Sequence, residues 1–245
     1  MASMQKTNRR FLELLLVIFA ACGIAQTQSE PSTQQYLFFV LLKRPPSAPQ
    51  LSEQESEKLQ EEHMRNIRKL HAEHKLLVAG PFTDETPMRG IFVLKADSLE
   101  QAEKWVGTDP AIQAGRLAAE VHGPWLVYAG TIQEPATTQG MEQYTLVLLT
   151  RGDKWNPGAP AFSDLMKQHS VFMRDMTAKG KIAVGGDFSL DDRGSLRGIA
   201  IFRVGTVETG KLVGEDPDAK AGLLRVEAHP WITGKGVLAS GLPTQ

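Results

Sequence analysis

The chain has 245 residues, 42% of them hydrophobic and 22% charged, the proportions of a folded globular protein and not of a disordered one. Its 27 basic and 28 acidic side chains leave a formal net charge of −1, and no basic stripe is interleaved with aromatics, which removes the electrostatic case for nucleic acid. The only cysteine, Cys22, excludes an internal disulfide, so stability has to come from packing.

The chain opens with "MASMQKTNRR", which carries Lys6, Arg9 and Arg10, and continues into "FLELLLVIFAACGIA", an apolar run interrupted only by Glu13. A basic start, an apolar stretch too short for a relaxed membrane span, and small residues at its end describe an export signal over 1–25. Cleavage after Ala25 releases a chain beginning at Gln26, with 26–34 as a polar linker. The alternative is lipidation: "FAAC" resembles a bacterial lipoprotein box with Phe19 in place of leucine. Lipid on Cys22 would tether the folded part to a membrane. Export, periplasmic or secreted, is the expectation, and membrane contact is expected only if Cys22 is lipidated.

Past the leader, Tyr36–Leu42 is an apolar, β-branched and aromatic run of strand length. Leu51–His74 has helical spacing, and its charged run "SEQESEKLQEEH" reads as a solvated face. "KLLVAG" is a short buried strand, "GIFVLKA" its partner, "SLEQAEKWV" a weaker helix and Ala119–Val127 a last strand. "AGTIQEPATTQGME" (129–142) reads as a linker. The series then starts again with Tyr144–Thr150, a helix over Ala161–Lys179, "KIAVGG", "GIAIFRV", "TVETGKLV" and Arg225–Thr233. In the second long helix Phe162, Leu165, Met166, His169, Phe172, Met173 and Met176 form one stripe.

Self-comparison makes the recurrence explicit. "QYLFFVLLKR" from Gln35 aligns with "QYTLVLLTRG" from Gln143, and His63 aligns with His169. A glycine follows each histidine seventeen residues later, at Gly80 and Gly186. "RGIFVL" matches "RGIAIF", "GTDPAIQAGRL" matches "GEDPDAKAGLL", and "VHGPW" matches "AHPW". The offsets run only from 106 to 108, so the chain is a tandem duplication with domains at 35–128 and 143–236 and a tail at 237–245. Each copy reads β-α-β-β-α-β, the order of a ferredoxin-like α+β domain whose helices cover one sheet face. The other face needs cover too. Two sheets packed face to face supply it, which predicts an intramolecular pseudo-dimer and a monomeric chain.

A helix histidine, then "LLVAGP" or "IAVGGD", then an arginine-glycine strand, then "DP" after a second helix resembles the YciI-like (YCII-related) family, over 36–128 and 144–236. The resemblance implies a dimeric α+β-barrel fold, in which paired sheets enclose a cleft, and tandem copies occur in the family. It also implies a catalytic dyad of histidine and aspartate, which falls on His63 and Asp109 in the first copy and on His169 and Asp216 in the second. Family members with an assigned reaction look like lyases or isomerases of small ring compounds. The first copy departs from the pattern in having His74 where a glycine is common, while the second keeps Gly180. On that ground the second copy is the better candidate if only one is active.

The residues themselves leave two readings of the dyad open. A partly buried imidazole beside a carboxylate suits proton transfer near neutral pH, and a core-edge histidine bonded to a backbone carbonyl is the plainer role. Asp-Pro starts helices, with aspartate capping free N–H groups and proline at the first helical position, which explains Asp109 and Asp216 without catalysis. His122 and His229 are expected in the same cleft as substrate-binding residues, and Arg89 and Arg197 as cations that hold an anionic substrate. Trp125 and Trp231 read as packing. No HxH or HxxxH pair falls at these histidines and no phosphate loop appears in "AGPF" or "VGGDF", so neither metal nor cofactor is expected. The expectation is a lyase or isomerase acting on a small acidic or phenolic molecule. The alternative is a non-catalytic module that binds a small molecule in the inter-sheet cleft or a partner on its outer surface.

Overall fold

Alternation decides which way each strand faces. In the computed structural model, which describes residues 35–133, 140–191 and 193–239, β1 (Tyr36–Lys43) sends Phe39 and Leu41 to one face and Phe38, Val40 and Leu42 to the other, as a period of two requires. The first half continues through α1 (Glu53–Ala72), β2 (Leu76–Pro81), β3 (Met88–Ala96), α2 (Leu99–Val106), α3 (Pro110–Gln113) and β4 (Ala118–His122). β5 (Leu126–Ile132) follows. The second half comprises β6 (Met141–Arg151), α4 (Phe162–Ala178), β7 (Ile182–Asp187), β8 (Leu196–Phe202), α5 (Thr206–Val213), α6 (Pro217–Ala221), β9 (Leu224–Gly234) and β10 (Leu238–Ala239). The leader, Cys22, the linker at 26–34, residues 134–139 of the inter-copy linker and the end of the tail lie outside the described residues.

The strands form two antiparallel sheets, one in the order β2-β3-β1-β4 and one in the order β10-β5-β7-β8-β6-β9. Their inner faces meet in one core: Phe39, Ile91 and Val93 from the first sheet against Leu146, Ile199 and Ile201 from the second. Each outer face is covered by its own helices, with Leu70 and Val106 on the first and Met173 and Val213 on the second. The two halves are ferredoxin-like, packed sheet to sheet as an intramolecular pseudo-dimer.

The last strand of each half crosses to the other, a feature that alternation within one copy does not announce. β4 pairs with β1, the path turns at Gly123–Pro124, and β5 then pairs with β7 of the second half. Conversely β9 pairs with β6, while Thr83 N donates to Pro230 O over 3.0 Å and Thr233 Oγ1 donates to Ala79 O over 2.9 Å, next to β2. The boundary drawn at 128/129 therefore falls inside a strand, and β10 lies past the boundary drawn at 236.

These crossings explain the paired glycines. A Cβ on Gly186 would lie 2.5 Å from Trp125 Nε1 and 2.6 Å from Leu126 O; one on Gly80 would overlap Ile232 O and lie 2.7 Å from Trp231 Nε1. Only glycine admits the incoming strand. The register of the first strands also corrects the alignment from Gln35 and Gln143. Phe39 and Leu41 share the core with Leu146 and Leu148, an offset of 107 and not 108. A slip of one residue would exchange the faces.

Candidate functional site

Two local devices build the same contact twice. On α1, whose start is closed by a capping box between Ser52 and Glu55, His63 points from the helix toward the turn before α3. There Asp109 caps α3: its Oδ1 accepts from Ala111 N at 2.9 Å, and its Oδ2 lies 2.7 Å from His63 Nδ1. On α4, His169 Nδ1 lies 2.6 Å from Asp216 Oδ2, while Asp216 Oδ1 accepts from Asp218 N at 3.0 Å. Capping and pairing with the imidazole are thus two uses of one carboxylate, one oxygen each.

Both aspartates are buried and both histidines reach a cavity edge. A carboxylate only accepts, so Nδ1 of each imidazole carries the proton it donates and, in the neutral ring, Nε2 keeps its lone pair. His71 shows the plainer role nearby, its Nδ1 donating to Leu76 O over 3.0 Å.

Each dyad opens on a cavity between the long helix and the outer face of its own sheet. The first encloses about 760 Å³ and the second about 600 Å³. This corrects the expected position between the sheets: Phe39, Trp125, Phe188, Ile199 and Trp231 fill that space. Each cavity borrows from the other half, with Met141 and Gly234 on the first and Tyr128 on the second. Burial first, then Asp187 and Asp216, raises the Tyr128 phenol well above its usual range, so it stands as an O–H donor.

Arg89 lines the first cavity and Arg197 the second. Arg89 donates to Thr86 O and, over 3.1 Å, to Met88 O; Arg197 donates to Arg193 O over 3.2 Å. His122 and His229 line neither cavity, which corrects their expected place beside the dyads. The strand crossing carries them to the seam between halves. His229 Nδ1 lies 2.6 Å from Asp84 Oδ2 and its ring 5.4 Å from that of Phe82. The His122 ring lies 5.8 Å from Phe188, and burial holds its pKa below the usual value against the pull of Glu120 and Asp191.

The departure at His74 does not distort the first site. His74 has φ 55° and Gly180 φ 68°, so both residues take the left-handed turn that ends the helix. Sequence reasoning missed Arg44, Arg116, Tyr128 and Asp218. The first two sit in "LLKR" and "AGRL", whose basic residues carry no motif, and Tyr128 lies just past the strand drawn at Ala119–Val127, in β5, which joins the sheet of the other half. Asp218 follows Asp216 by two residues in "DPDA", where Ala111 stands in the first copy; that difference was a readable signal. Among the described residues no group of three or more histidine, cysteine or carboxylate side chains is placed to hold a metal ion.

The profile of the YCII-related domain matches residues 37–122. An uncharacterized protein of Haemophilus influenzae is 31% identical over 75 residues, 27% of this chain and 76% of that protein. The uncharacterized protein YjpA of Bacillus subtilis is 38% identical over 64 residues, 24% of this chain and 73% of that protein. A mutant chlorite dismutase from Candidatus Nitrospira defluvii superposes with a TM-score of 0.51 at 12% identity, over 82% of this chain and 91% of that one. A Fusobacterium nucleatum protein provisionally described as a monooxygenase also gives 0.51, at 9% identity over 84% of this chain and 98% of that one. These two likenesses establish the fold, a dimeric α+β barrel.

Proposed function

We propose a reaction class for this chain, which belongs to the YCII-related domain family: it is a lyase or isomerase that moves protons on a small acidic or phenolic molecule without a cofactor. One observation carries the proposal. The same imidazole–carboxylate contact, at 2.7 and 2.6 Å, is built twice from a helix and a capped Asp-Pro turn, each time at the edge of a cavity that also presents an arginine.

In this reading Nε2 of His63 or His169 takes a proton from a carbon next to the anionic or phenolic group. The C–H electron pair moves into the adjacent π system, and the charge that develops is held by Arg89 or Arg197. The buried aspartate keeps Nδ1 protonated and stabilises the imidazolium that forms. Return of the proton to a different carbon completes an isomerisation; loss of an anionic leaving group from the neighbouring carbon completes an elimination. We also infer that the second half is a diverged copy of the first.

Proton exchange tests the chemistry without the natural substrate. Small keto acids and phenolic acids are incubated with the mature chain in D2O, and loss of C–H signal is followed by proton NMR. The expected result is exchange that falls about a hundredfold or more in the His63→Gln/His169→Gln double variant, with unchanged circular dichroism. Exchange at the parental rate in that variant overturns the proposal; binding without exchange in the parent chain favours a ligand-binding module.

Export on the leader is the companion proposal, supported by the basic and apolar segments of 1–25. Mass spectrometry of the chain recovered from its producing cells is expected to find Gln26 at the N-terminus. An intact leader contradicts export with cleavage, and a lipidated Cys22 replaces it with anchoring.

A further inference from the structure

The two cavities differ at several positions equivalent in the two halves, and three of these change the polar character of the wall. Arg116 on the first corresponds to Leu223, Pro81 to Asp187 on the second, and Gly234 to Tyr128. Among the described residues, the basic and acidic side chains lining the first cavity are Arg44, His63, Arg89 and Arg116, with no carboxylate among them. Those lining the second are His169, Arg174, Arg197 and Asp187, with buried Asp218 beside the dyad.

Arg44 stands exposed at the first mouth, where burial and then the nearby positive charges of Arg116 and Arg89 lower its pKa. Repulsion of the Arg44 guanidinium by those of Arg116 and Arg89 costs free energy that an anion would recover. Among the described residues Arg116 gives one hydrogen bond to Pro49 O at 2.9 Å and Arg89 bonds Thr86 O and Met88 O, which leaves donors to spare. The acid nearest in sequence to Arg89, Glu85, is exposed and lines an adjoining depression that Arg44, Arg89 and Arg116 border as well. The same cavity is also lined by apolar Leu42, Met64, Ile67 and Phe92, and the His63 ring stacks on that of Phe92 with centroids 6.1 Å apart.

We infer that the first cavity is an anion site, taking a small organic compound whose carboxylate or phosphate lies among Arg44, Arg89 and Arg116 while its carbon skeleton lies against His63, and that the second cavity does not share this preference. The inference rests on the proposed reaction only in calling that compound a substrate. The two halves are then not redundant: the first serves anionic substrates and the second, with Tyr128, Asp187 and one arginine fewer from this set, serves a less charged one.

Calorimetric titration of the full mature chain with malonate and with inorganic phosphate at low salt tests it. One equivalent per chain is expected, weakened about tenfold or more by Arg116→Leu and by Arg44→Leu, and untouched by Arg174→Leu in the second cavity. Arg116→Leu installs the residue that the second half already carries, and Arg44→Leu changes an exposed side chain, so one survives if the other misfolds. Two equal sites, no measurable binding, or affinity indifferent to both arginine substitutions overturns the inference. The His63→Gln/His169→Gln variant separates it from the reaction proposal: lost proton exchange with retained malonate affinity supports both. Proton exchange in the parent chain with no anion site leaves only the reaction standing.

Discussion

Asp218 stands where the first half has Ala111, and neither of its buried carboxylate oxygens has a hydrogen-bond partner among the described residues. Burial, with repulsion from Asp216 working against attraction to His169, pushes its pKa up from 3.8 to about 6. Between those values the folded chain holds a proton that the unfolded chain has released. The contribution of this group to stability is therefore greatest below 3.8 and is lost as pH rises through about 6. Asp218→Ala is expected to stabilise the protein at pH 7 by roughly 1–3 kcal/mol. The gain should shrink to nothing as pH falls toward 4, which urea unfolding at the two pH values would read. An equal gain at both values would mean that charge burial is not the cause. The same residue explains why the two dyads, alike in distance, need not share a pH profile: the second has an extra ionisable group within its field. His74 makes a complementary point, since it occupies with φ 55° a turn that glycine takes at the equivalent position.

At the scale of elements, the crossings of β5 and β9 place the heaviest demand on the chain. β7 accepts β5 as its sheet neighbour, β9 reaches the end of β2 through a bridge between Phe82 and Trp231, and a backbone carbonyl and an indole stand over Gly80 and Gly186. Gly80→Ala puts a methyl group into the Ile232 carbonyl and against the rigid indole of Trp231, with no flexible side chain to yield. A loss of about 3 kcal/mol is expected, read as a lower urea midpoint. Gly210→Ala is the control. Gly210 sits inside α5 with nothing within 4 Å of a new Cβ, so the helix is expected to gain about 0.5–1 kcal/mol. A Gly80→Ala variant as stable as the parent would show that the β2–β9 junction is loose in solution. The helices need less: α1 has its capping box, whereas α4 begins at Ala161 with no side-chain cap and relies on Met173 and Met176 packed on the sheet.

For the whole molecule, each half supplies the missing cover for the other's half-open sheet, and the crossing of β5 together with the contacts of β9 to β2 ties them. Asp191 of the second half accepts from Gly123 N at 3.1 Å, and Asp84 of the first pairs with His229 at 2.6 Å, so polar ties accompany the strand exchange at both junctions. Hydrogen bonds from Arg193 and Gly123 hold the Asp191 carboxyl down to about 2 in spite of burial. It remains charged wherever the protein is folded near neutral pH, which suits a fixed tie. Each cavity takes part of its wall from the opposite half, so neither half carries a complete site by itself.

Much of this was readable from the chain alone, because contiguous residues encode it. Periods of two and near four marked the strands and long helices, the Asp-Pro turns announced two short helices, and recurrence at a spacing near 107 residues revealed two halves and singled out His63, Asp109, His169 and Asp216. What lies between the sheets, and which half a last strand joins, depends on side chains a hundred residues apart competing for the same space. That competition filled the inter-sheet volume with aromatic and aliphatic groups, left the cavities beneath the helices, and carried His122 and His229 to the seam. It also gathered Arg44, Arg89 and Arg116 from three separate segments. A sequence lists such charges one by one; only the folded chain brings them to a common point, where their repulsion gives an anion reason to bind.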